Sequence, residues 1–201
     1  MNTERTLNTS LSTTDTDTLR QTLLDLIVKY AYVEGDFTLS SGAKSSYYIN
    51  CKRVTLRAEG ALALGRLLFD LLPKDTMAVA GLTLGADPLV SAVSVVSAYE
   101  NNPIPALIIR KKAKGYGTQA YIEGPSLAKG AKVVVLEDVV TTGGSALTAV
   151  ERLKDAGYEV SQILSLVDRE QGGKELYQSK GIEFRALFSI QEIQQRFAHN
   201  S

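Results

Sequence analysis

The chain has 201 residues, of which 44% are hydrophobic and 22% are charged, a composition typical of one globular domain with its own core. Its 22 basic and 22 acidic side chains cancel, which argues against nucleic acid or an anionic membrane as a partner recognised through overall charge. The single cysteine, Cys51, excludes an intramolecular disulfide and a multi-cysteine metal site, and the lack of a signal-peptide pattern predicts a cytoplasmic protein.

The N-terminal segment is predicted to be a tail followed by a helix. Residues 1–16 are rich in Thr, Ser and Asn, so we expect a disordered tail before a single domain at 17–201. Apolar residues then recur at helical spacing, which predicts an amphipathic helix from Thr18 that ends near Gly35. Strands are predicted next at 37–40 and 47–56, on either side of a Ser-Ser-Gly turn, and a second helix follows at 58–72.

From residue 77 onward, short apolar runs alternate with helical segments. The apolar runs are 77–82, 104–109, 132–136 and 162–167, and the helical segments are 88–99, 145–155 and 170–180. This alternation predicts an α/β fold with a mostly parallel central sheet flanked by helices. Such sheets bind ligands at the carboxyl ends of their strands, so the residues after each strand are the candidate site.

The strand predicted at 132–136 is followed by a candidate phosphate site. Two acids, Glu137 and Asp138, precede a loop that opens a helix. The loop consists of Val139, Val140, Thr141, Thr142, Gly143, Gly144 and Ser145. Its glycines let successive N–H groups point into one concavity, and a helix N-terminus favours an anion there. The two acids suit a pair of sugar hydroxyls, so the segment fits a ribose 5-phosphate. An ordinary helix cap with two solvated acids is the alternative.

This segment resembles the motif with which the type I phosphoribosyltransferases bind phosphoribosyl pyrophosphate (PRPP). The resemblance implies their fold, in which a small N-terminal hood covers the mostly parallel sheet. It also implies that the loop and Glu137 bind PRPP, with Asp138 counted among the catalytic residues as well. Mg²⁺ is implied as the cofactor, carried by PRPP itself and not by protein side chains. The motif does not specify the base.

The segment 37–50 is similar to the base-binding stretch of the orotate branch of this family. That similarity implies that Tyr48 binds orotate and that Lys44 contacts PRPP. Ser40 and Ala43 stand where the family commonly has basic residues. A plain hairpin with a Ser/Gly turn would also explain the segment.

The segment 110–119 carries four cations in its first five residues. Such a cluster repels itself unless an anion sits among its members, although a solvated basic loop is the more usual explanation of a charge run. The segment resembles the mobile catalytic loop of the family. This implies that Arg110, Lys111 and Lys114 bind PRPP and act in catalysis, and that the loop is shared across the interface of a homodimer. Tyr116 stands where the family often has histidine.

The segment 167–173, after the last predicted core strand, contains Arg169. A guanidinium binds a carboxylate through two parallel hydrogen bonds. The resemblance implies that Arg169 and Thr141 bind orotate, whereas the residues alone allow an ion pair of Arg169 with Asp168 or Glu170. A weaker signal, the segment 81–88, falls where the family binds pyrophosphate.

These segments together resemble the orotate phosphoribosyltransferases, glycosyltransferases of pyrimidine (UMP) biosynthesis. The implied activity transfers the 5-phosphoribosyl group from PRPP to orotate, which gives orotidine 5′-monophosphate (OMP) and pyrophosphate. Three alternatives are a transferase for a purine base, a PRPP-sensing regulator that binds nucleic acid, and a homologue without activity. The regulator would need a basic face or an added DNA-binding domain.

Overall fold

The N-terminal part of the chain forms a helix and a two-stranded hairpin, in a computed structural model that describes residue 11 and residues 13–38, 44–113 and 121–200. Helix α1 (Thr16–Leu26) begins after Asp15, whose side chain accepts a hydrogen bond from the Thr18 amide at 2.9 Å. It continues as a π-helical turn (Ile27–Ala31). Strands β1 (Tyr32–Thr38) and β2 (Lys44–Ile49) then pair in antiparallel orientation.

The predicted disordered tail is too long at its C-terminal end. Leu11 is buried in the core, and the guanidinium of Arg66 donates hydrogen bonds to the carbonyls of Leu11 at 2.6 Å and Thr14 at 2.9 Å. These long-range contacts offset the entropy cost of ordering a polar segment. The composition of the segment had suggested that no contacts would offset that cost.

Two predicted bounds in the hairpin region are also wrong. The first helix ends at Ala31 and not near Gly35, because Tyr32 already pairs with Ile49 in the hairpin. The second strand ends at Ile49, and a short helix α2 (Lys52–Thr55) replaces the rest of the predicted strand. Helix α3 (Ala58–Asp70) confirms the helix predicted next along the chain.

A six-stranded sheet forms the centre of the protein. Its strands are β3 (Ala78–Leu82), β4 (Ala106–Ile109), β5 (Ile122–Glu123), β6 (Val133–Val140), β7 (Gln162–Asp168) and β8 (Glu183–Ser189). They lie in the order β5-β4-β3-β6-β7-β8, and every pairing is parallel except the one between β4 and β5. This confirms the predicted α/β fold with a mostly parallel sheet.

Helices cover both faces of this sheet. They are α3, α4 (Asp87–Tyr99), α5 (Gly144–Asp155), α6 (Gly173–Ser179) and α7 (Ile190–Asn200). Along β6 the buried side chains alternate between two cores: Val134 and Leu136 pack with α1, α3 and α4, whereas Val133 and Val135 pack with α5. Strand β8 and helix α7 were not predicted. Within the described ranges, no helix has the length and apolar character needed to cross a bilayer.

Candidate active site

The phosphate site predicted after β6 is a cavity of about 210 Å³ at the carboxyl end of that strand. Its lining residues are Glu137, Val139, Val140, Thr141, Thr142, Gly143, Gly144, Ser145, Ala146 and Tyr177. Strand β6 runs to Val140, four residues beyond its predicted end, so both acids lie within the strand and not after it. The backbone that carries the two acids is therefore part of a strand and not of a loop: Glu137 lies opposite Ser165 of β7, whereas the pairing with β3 ends at Val135.

Gly143 shapes the turn between β6 and α5. Its φ is +89°, a left-handed conformation that suits glycine, and a Cβ there would lie 2.9 Å from the Tyr177 ring. The Tyr177 hydroxyl donates a hydrogen bond to the Gly143 carbonyl at 3.1 Å from below. Tyr177 is fully buried and was not predicted as a site residue, since it lies on a helix that gave no local signal for it. The loop therefore packs against the Tyr177 ring at Gly143, while Gly144 and Ser145 stay exposed.

Glu137 has a buried carboxyl group, and one of its two oxygens has no hydrogen-bond partner among the described residues. The residue is 6% exposed, and the oxygen in question is Oε2. Burial first, and the negative charge of Asp138 second, raise the pKa of Glu137 to about 8 from 4.5, whereas the charge of Lys111 acts in the opposite direction. A ligand hydroxyl that donates a hydrogen bond to Oε2 would satisfy this buried oxygen, and a sugar diol offers such donors.

Asp138 lies beside a lysine that the sequence reasoning missed. The Nζ atom of Lys52, on α2, is 3.7 Å from Asp138 Oδ2. On the other side, a Cβ at position 85 would overlap the Asp138 carboxylate, so this close approach of the 81–88 segment requires Gly85. The predicted pyrophosphate segment therefore lies against Asp138 of β6. Lys52 was missed because it falls inside a predicted strand that is in fact a helix.

The basic segment begins where β4 ends. The Arg110 amide donates to the Tyr121 carbonyl at 2.8 Å, so the chain leaves and rejoins the sheet at one place. The Arg110 guanidinium donates to Glu123 at 2.9 Å, and Arg152 donates to the carbonyls of Arg110 and Lys111. Lys111 is exposed. Lys114, with the rest of the segment to residue 119, lies outside the described residues.

Arg169 contacts the hairpin and not its acidic neighbours. Its amide donates to the Val140 carbonyl at 2.8 Å, which places it directly beside the predicted phosphate loop, residues 139–145. Its Nε donates to the Tyr47 hydroxyl at 2.9 Å, and its Nη2 lies 3.5 Å from Ser45 Oγ. Asp168 instead accepts a hydrogen bond from the Glu170 amide. Among the described residues Arg169 makes no ion pair, so the alternative of a pair with Asp168 or Glu170 is wrong.

The other two residues assigned from the hairpin lie away from the cavity lining. Tyr48 is 46% exposed on β2, with its ring centroid 5.6 Å from that of Phe37. The Lys44 amino group donates to Thr38 Oγ1 at 3.0 Å and is exposed. The turn between β1 and β2, with Ser40 and Ala43, falls outside the described residues. Binding of orotate by Tyr48 and of PRPP by Lys44 therefore stays a prediction.

The arrangement defines a protein class. A glycine-rich loop at a helix N-terminus, two adjacent acids and a guanidinium at the end of the next strand are the groups that a site for a sugar phosphate and a carboxylated partner requires. A family model described as a phosphoribosyl transferase domain matches residues 65–200, which is more than half of the chain.

Comparison with named relatives shows which branch of this class the chain belongs to. An orotate phosphoribosyltransferase of Nostoc sp. is 69% identical over 186 residues, which are 92% of this chain and 90% of that protein. A crystal structure of the Mycobacterium tuberculosis orotate phosphoribosyltransferase in complex with Fe(III) dicitrate has a TM-score of 0.78 and 39% identity, and covers 87% of this chain and 98% of that one. The same enzyme in complex with PRPP has a TM-score of 0.74 and 36% identity, and covers 88% and 99%. The chain belongs to the orotate phosphoribosyltransferases of the phosphoribosyltransferase family.

Proposed function

We propose that this protein transfers the 5-phosphoribosyl group of PRPP to orotate, which gives OMP and pyrophosphate and supplies pyrimidine (UMP) biosynthesis. One observation carries the proposal: the backbone of Arg169 is bound directly to the proposed phosphate loop (139–145), because the Arg169 amide donates a hydrogen bond to the Val140 carbonyl at 2.8 Å. A sugar phosphate in the loop and a carboxylate on Arg169 would thus belong to the same molecule. OMP is such a molecule.

The loop binds the 5-phosphate of the ribose. Residues 141–145 line the cavity at the start of α5, where the free backbone N–H groups of a helix N-terminus and the helix dipole attract an anion. Glu137 and Asp138 accept hydrogen bonds from the ribose hydroxyls. Both ends of the sugar phosphate are then fixed, and the anomeric carbon is held in place for attack.

The reaction breaks the bond between the anomeric carbon and a pyrophosphate oxygen and forms one between that carbon and N1 of orotate. Positive charge develops on the ribose and negative charge on the leaving group. Arg110, Lys111 and Lys114 stabilise the departing pyrophosphate. The Arg110 guanidinium is 2.9 Å from a Glu123 carboxylate oxygen, so binding of pyrophosphate by Arg110 would compete with this ion pair. The orotate ring nitrogen is acidic, so no strong protein base is needed.

Mg²⁺ fits this site as an ion bound to PRPP. Among the residues that the structure describes, no group of three or more His, Cys, Asp or Glu side chains is arranged to hold a metal. The available donors are the two neighbouring carboxylates of β6, and the same ones face the diol. An ion with few protein ligands keeps several waters and the substrate phosphates, which is the preference of Mg²⁺. When bound, it neutralises part of the charge of the diphosphate.

Orotate is selected through its carboxylate. The Arg169 guanidinium offers a planar fork for that group, and a purine has nothing to match it. Thr141 lies half-buried in the cavity lining, at the end of the loop nearest the Arg169 segment, and it binds the base from that side. Tyr48, on β2 of the hairpin, covers the base.

We also propose a cytoplasmic homodimer that shares the basic loop between its subunits. A largely apolar groove runs between α3 and α4, and it includes Leu56, which is 71% exposed, and Val95, which is 58% exposed. Exposed apolar side chains that line one groove favour a contact with another protein surface. The neutral net charge gives no support to nucleic acid or a membrane as a partner.

An assay of base specificity tests the function. The protein is incubated with PRPP and Mg²⁺ and with orotate, uracil, adenine or hypoxanthine in turn, and release of pyrophosphate is followed. We expect turnover with orotate alone. Turnover with adenine or hypoxanthine would show a purine enzyme, and no turnover with any base, together with normal binding of PRPP, would show a homologue without activity.

A further inference from the structure

The hydrogen bond between Tyr47 and Arg169 has no role in the function proposed so far. Tyr47 lies on β2 of the hairpin and Arg169 follows β7 of the central sheet, so the bond joins two separate sheets. Both residues are 9% exposed. The Arg169 guanidinium carbon also lies over the Tyr47 ring, 4.7 Å from its centroid, so Arg169 contacts both the ring and the hydroxyl of this tyrosine.

The Tyr47 ring is held from behind by other aromatic rings. It stacks on Tyr32 with centroids 5.8 Å apart, and Tyr32 meets Phe197 of α7 edge-on at 5.1 Å. The three rings extend from the hairpin to the C-terminal helix. A packed ring of this kind has few alternative rotamers, so its hydroxyl is a fixed acceptor for Arg169.

The bond occupies one edge of the guanidinium and leaves the other. Nε donates to Tyr47 at 2.9 Å, while Nη2 has only a long contact of 3.5 Å with Ser45. Within the described ranges, Nη1 makes no hydrogen bond to the protein. A carboxylate binds in a bidentate manner to one edge at a time, so the occupied Nε edge leaves the edge formed by Nη1 and Nη2 as the binding edge.

We propose that Tyr47 is a positioning residue for orotate: its hydroxyl fixes the Nε edge of Arg169 so that the opposite edge faces the carboxylate of the base. The proposal rests on the proposed function, because it takes Arg169 as the carboxylate ligand. It adds that the hairpin sets the orientation of that ligand before the base arrives. An arginine held in this way loses less freedom on binding than one that must be ordered.

Affinities for two nucleotides test the proposal. OMP carries the carboxylate, and uridine 5′-monophosphate (UMP) is the same molecule without it. In Tyr47→Phe, which keeps the ring and its packing, we expect the dissociation constant of OMP measured by calorimetry to rise about tenfold. The constant for UMP should change less than twofold. Tyr32→Phe is the matched control, since it removes a hydroxyl that bonds to Glu34 in the same aromatic cluster, and it should leave both constants unchanged.

The same substitution made in an Arg169→Met variant distinguishes failure of this proposal from failure of the function on which it rests. In Arg169→Met the OMP constant should rise, and adding Tyr47→Phe should then have no further effect. Equal losses of OMP and UMP affinity in Tyr47→Phe, or an undiminished effect in the Arg169→Met background, would show that the hydroxyl acts only on the fold and would overturn the positioning role. If Arg169→Met leaves OMP affinity intact, the assignment of Arg169 itself is wrong.

Discussion

Replacement of Glu137 by glutamine should stabilise the ligand-free protein at alkaline pH while it weakens binding of PRPP. Glu137 is 6% exposed, and its Oε2 atom lacks a hydrogen-bond partner within the described part of the chain. Burial and the neighbouring Asp138 raise the pKa of Glu137 to about 8. Glutamine has the same size and no charge to desolvate, so it avoids the cost of ionising this group inside the protein.

The size of the effect follows from the difference in proton binding between the two states. The unfolded chain releases this proton near pH 4.5, whereas the folded protein keeps it until about pH 8. The folded state binds more protons in that interval, so its stability falls as the pH rises through it. At about 1.4 kcal/mol for each pH unit, the ceiling is about 5 kcal/mol. Structural relaxation and entry of water reduce such costs, so we expect Glu137→Gln to gain about 2 kcal/mol at pH 9.

Urea unfolding of both proteins at pH 5, 7 and 9 measures the effect. The difference in unfolding free energy should grow steadily in favour of the variant as the pH rises. At pH 9 the midpoint of thermal unfolding should be about 4–8 °C higher than that of the unaltered protein. Glu183→Gln is the control, because the Glu183 side chain is 63% exposed. The difference in unfolding free energy between this variant and the unaltered protein should not vary with pH. A Glu137→Gln difference that is constant between pH 5 and pH 9 would refute the reasoning.

Three further substitutions test other parts of the site. Lys114→Ala should reduce turnover with orotate about 100-fold or more while urea unfolding is unchanged, and near-normal turnover would remove Lys114 from the mechanism. Asp138→Asn should weaken PRPP binding about tenfold or more in calorimetry, and an unchanged affinity would contradict the assignment of the ribose diol. Gly143→Ala should cost about 2 kcal/mol in urea unfolding, because φ is +89° and the new Cβ would lie 2.9 Å from Tyr177. Gly144→Ala, with no atom near its Cβ, should cost less.

Four of the six strands of the central sheet, β3, β4, β6 and β7, were predictable because their signals are local. Each buried parallel strand is a continuous apolar run, and each crossover helix has its own periodicity, so neither depends on knowing its neighbours. The phosphate loop was predictable for the same reason, since the acids, hydroxyls and glycines that form it are consecutive. Strand β8 escaped prediction because Glu183–Ser189 alternates polar and apolar residues only weakly. Helix α7 was missed although Ile190, Ile193 and Phe197 recur at helical spacing.

The hairpin region was misjudged because its structure depends on distant contacts. Apolar residues at helical spacing continue to Ala31, but the pairing of Tyr32 with Ile49 decides where the helix ends. Leu11 looked like part of a polar tail, and only the packing of α3 with its Arg66 gives it a buried place. Local propensity is a weak guide wherever tertiary packing pays the ordering cost.

The sequence by itself determined the α/β scaffold, and it predicted the chemistry: a phosphate loop with two acids before it, a cluster of cations and an arginine suited to a carboxylate. Only the tertiary structure decided which side chains support these groups. Tyr177 lies under Gly143, Lys52 stands beside Asp138, and Tyr47 orients Arg169, although 122 positions of sequence separate the last pair. A motif consists of neighbouring residues and can be recognised from the sequence. The contacts between residues of distant elements depend on how those elements pack, and no local sequence pattern encodes this packing.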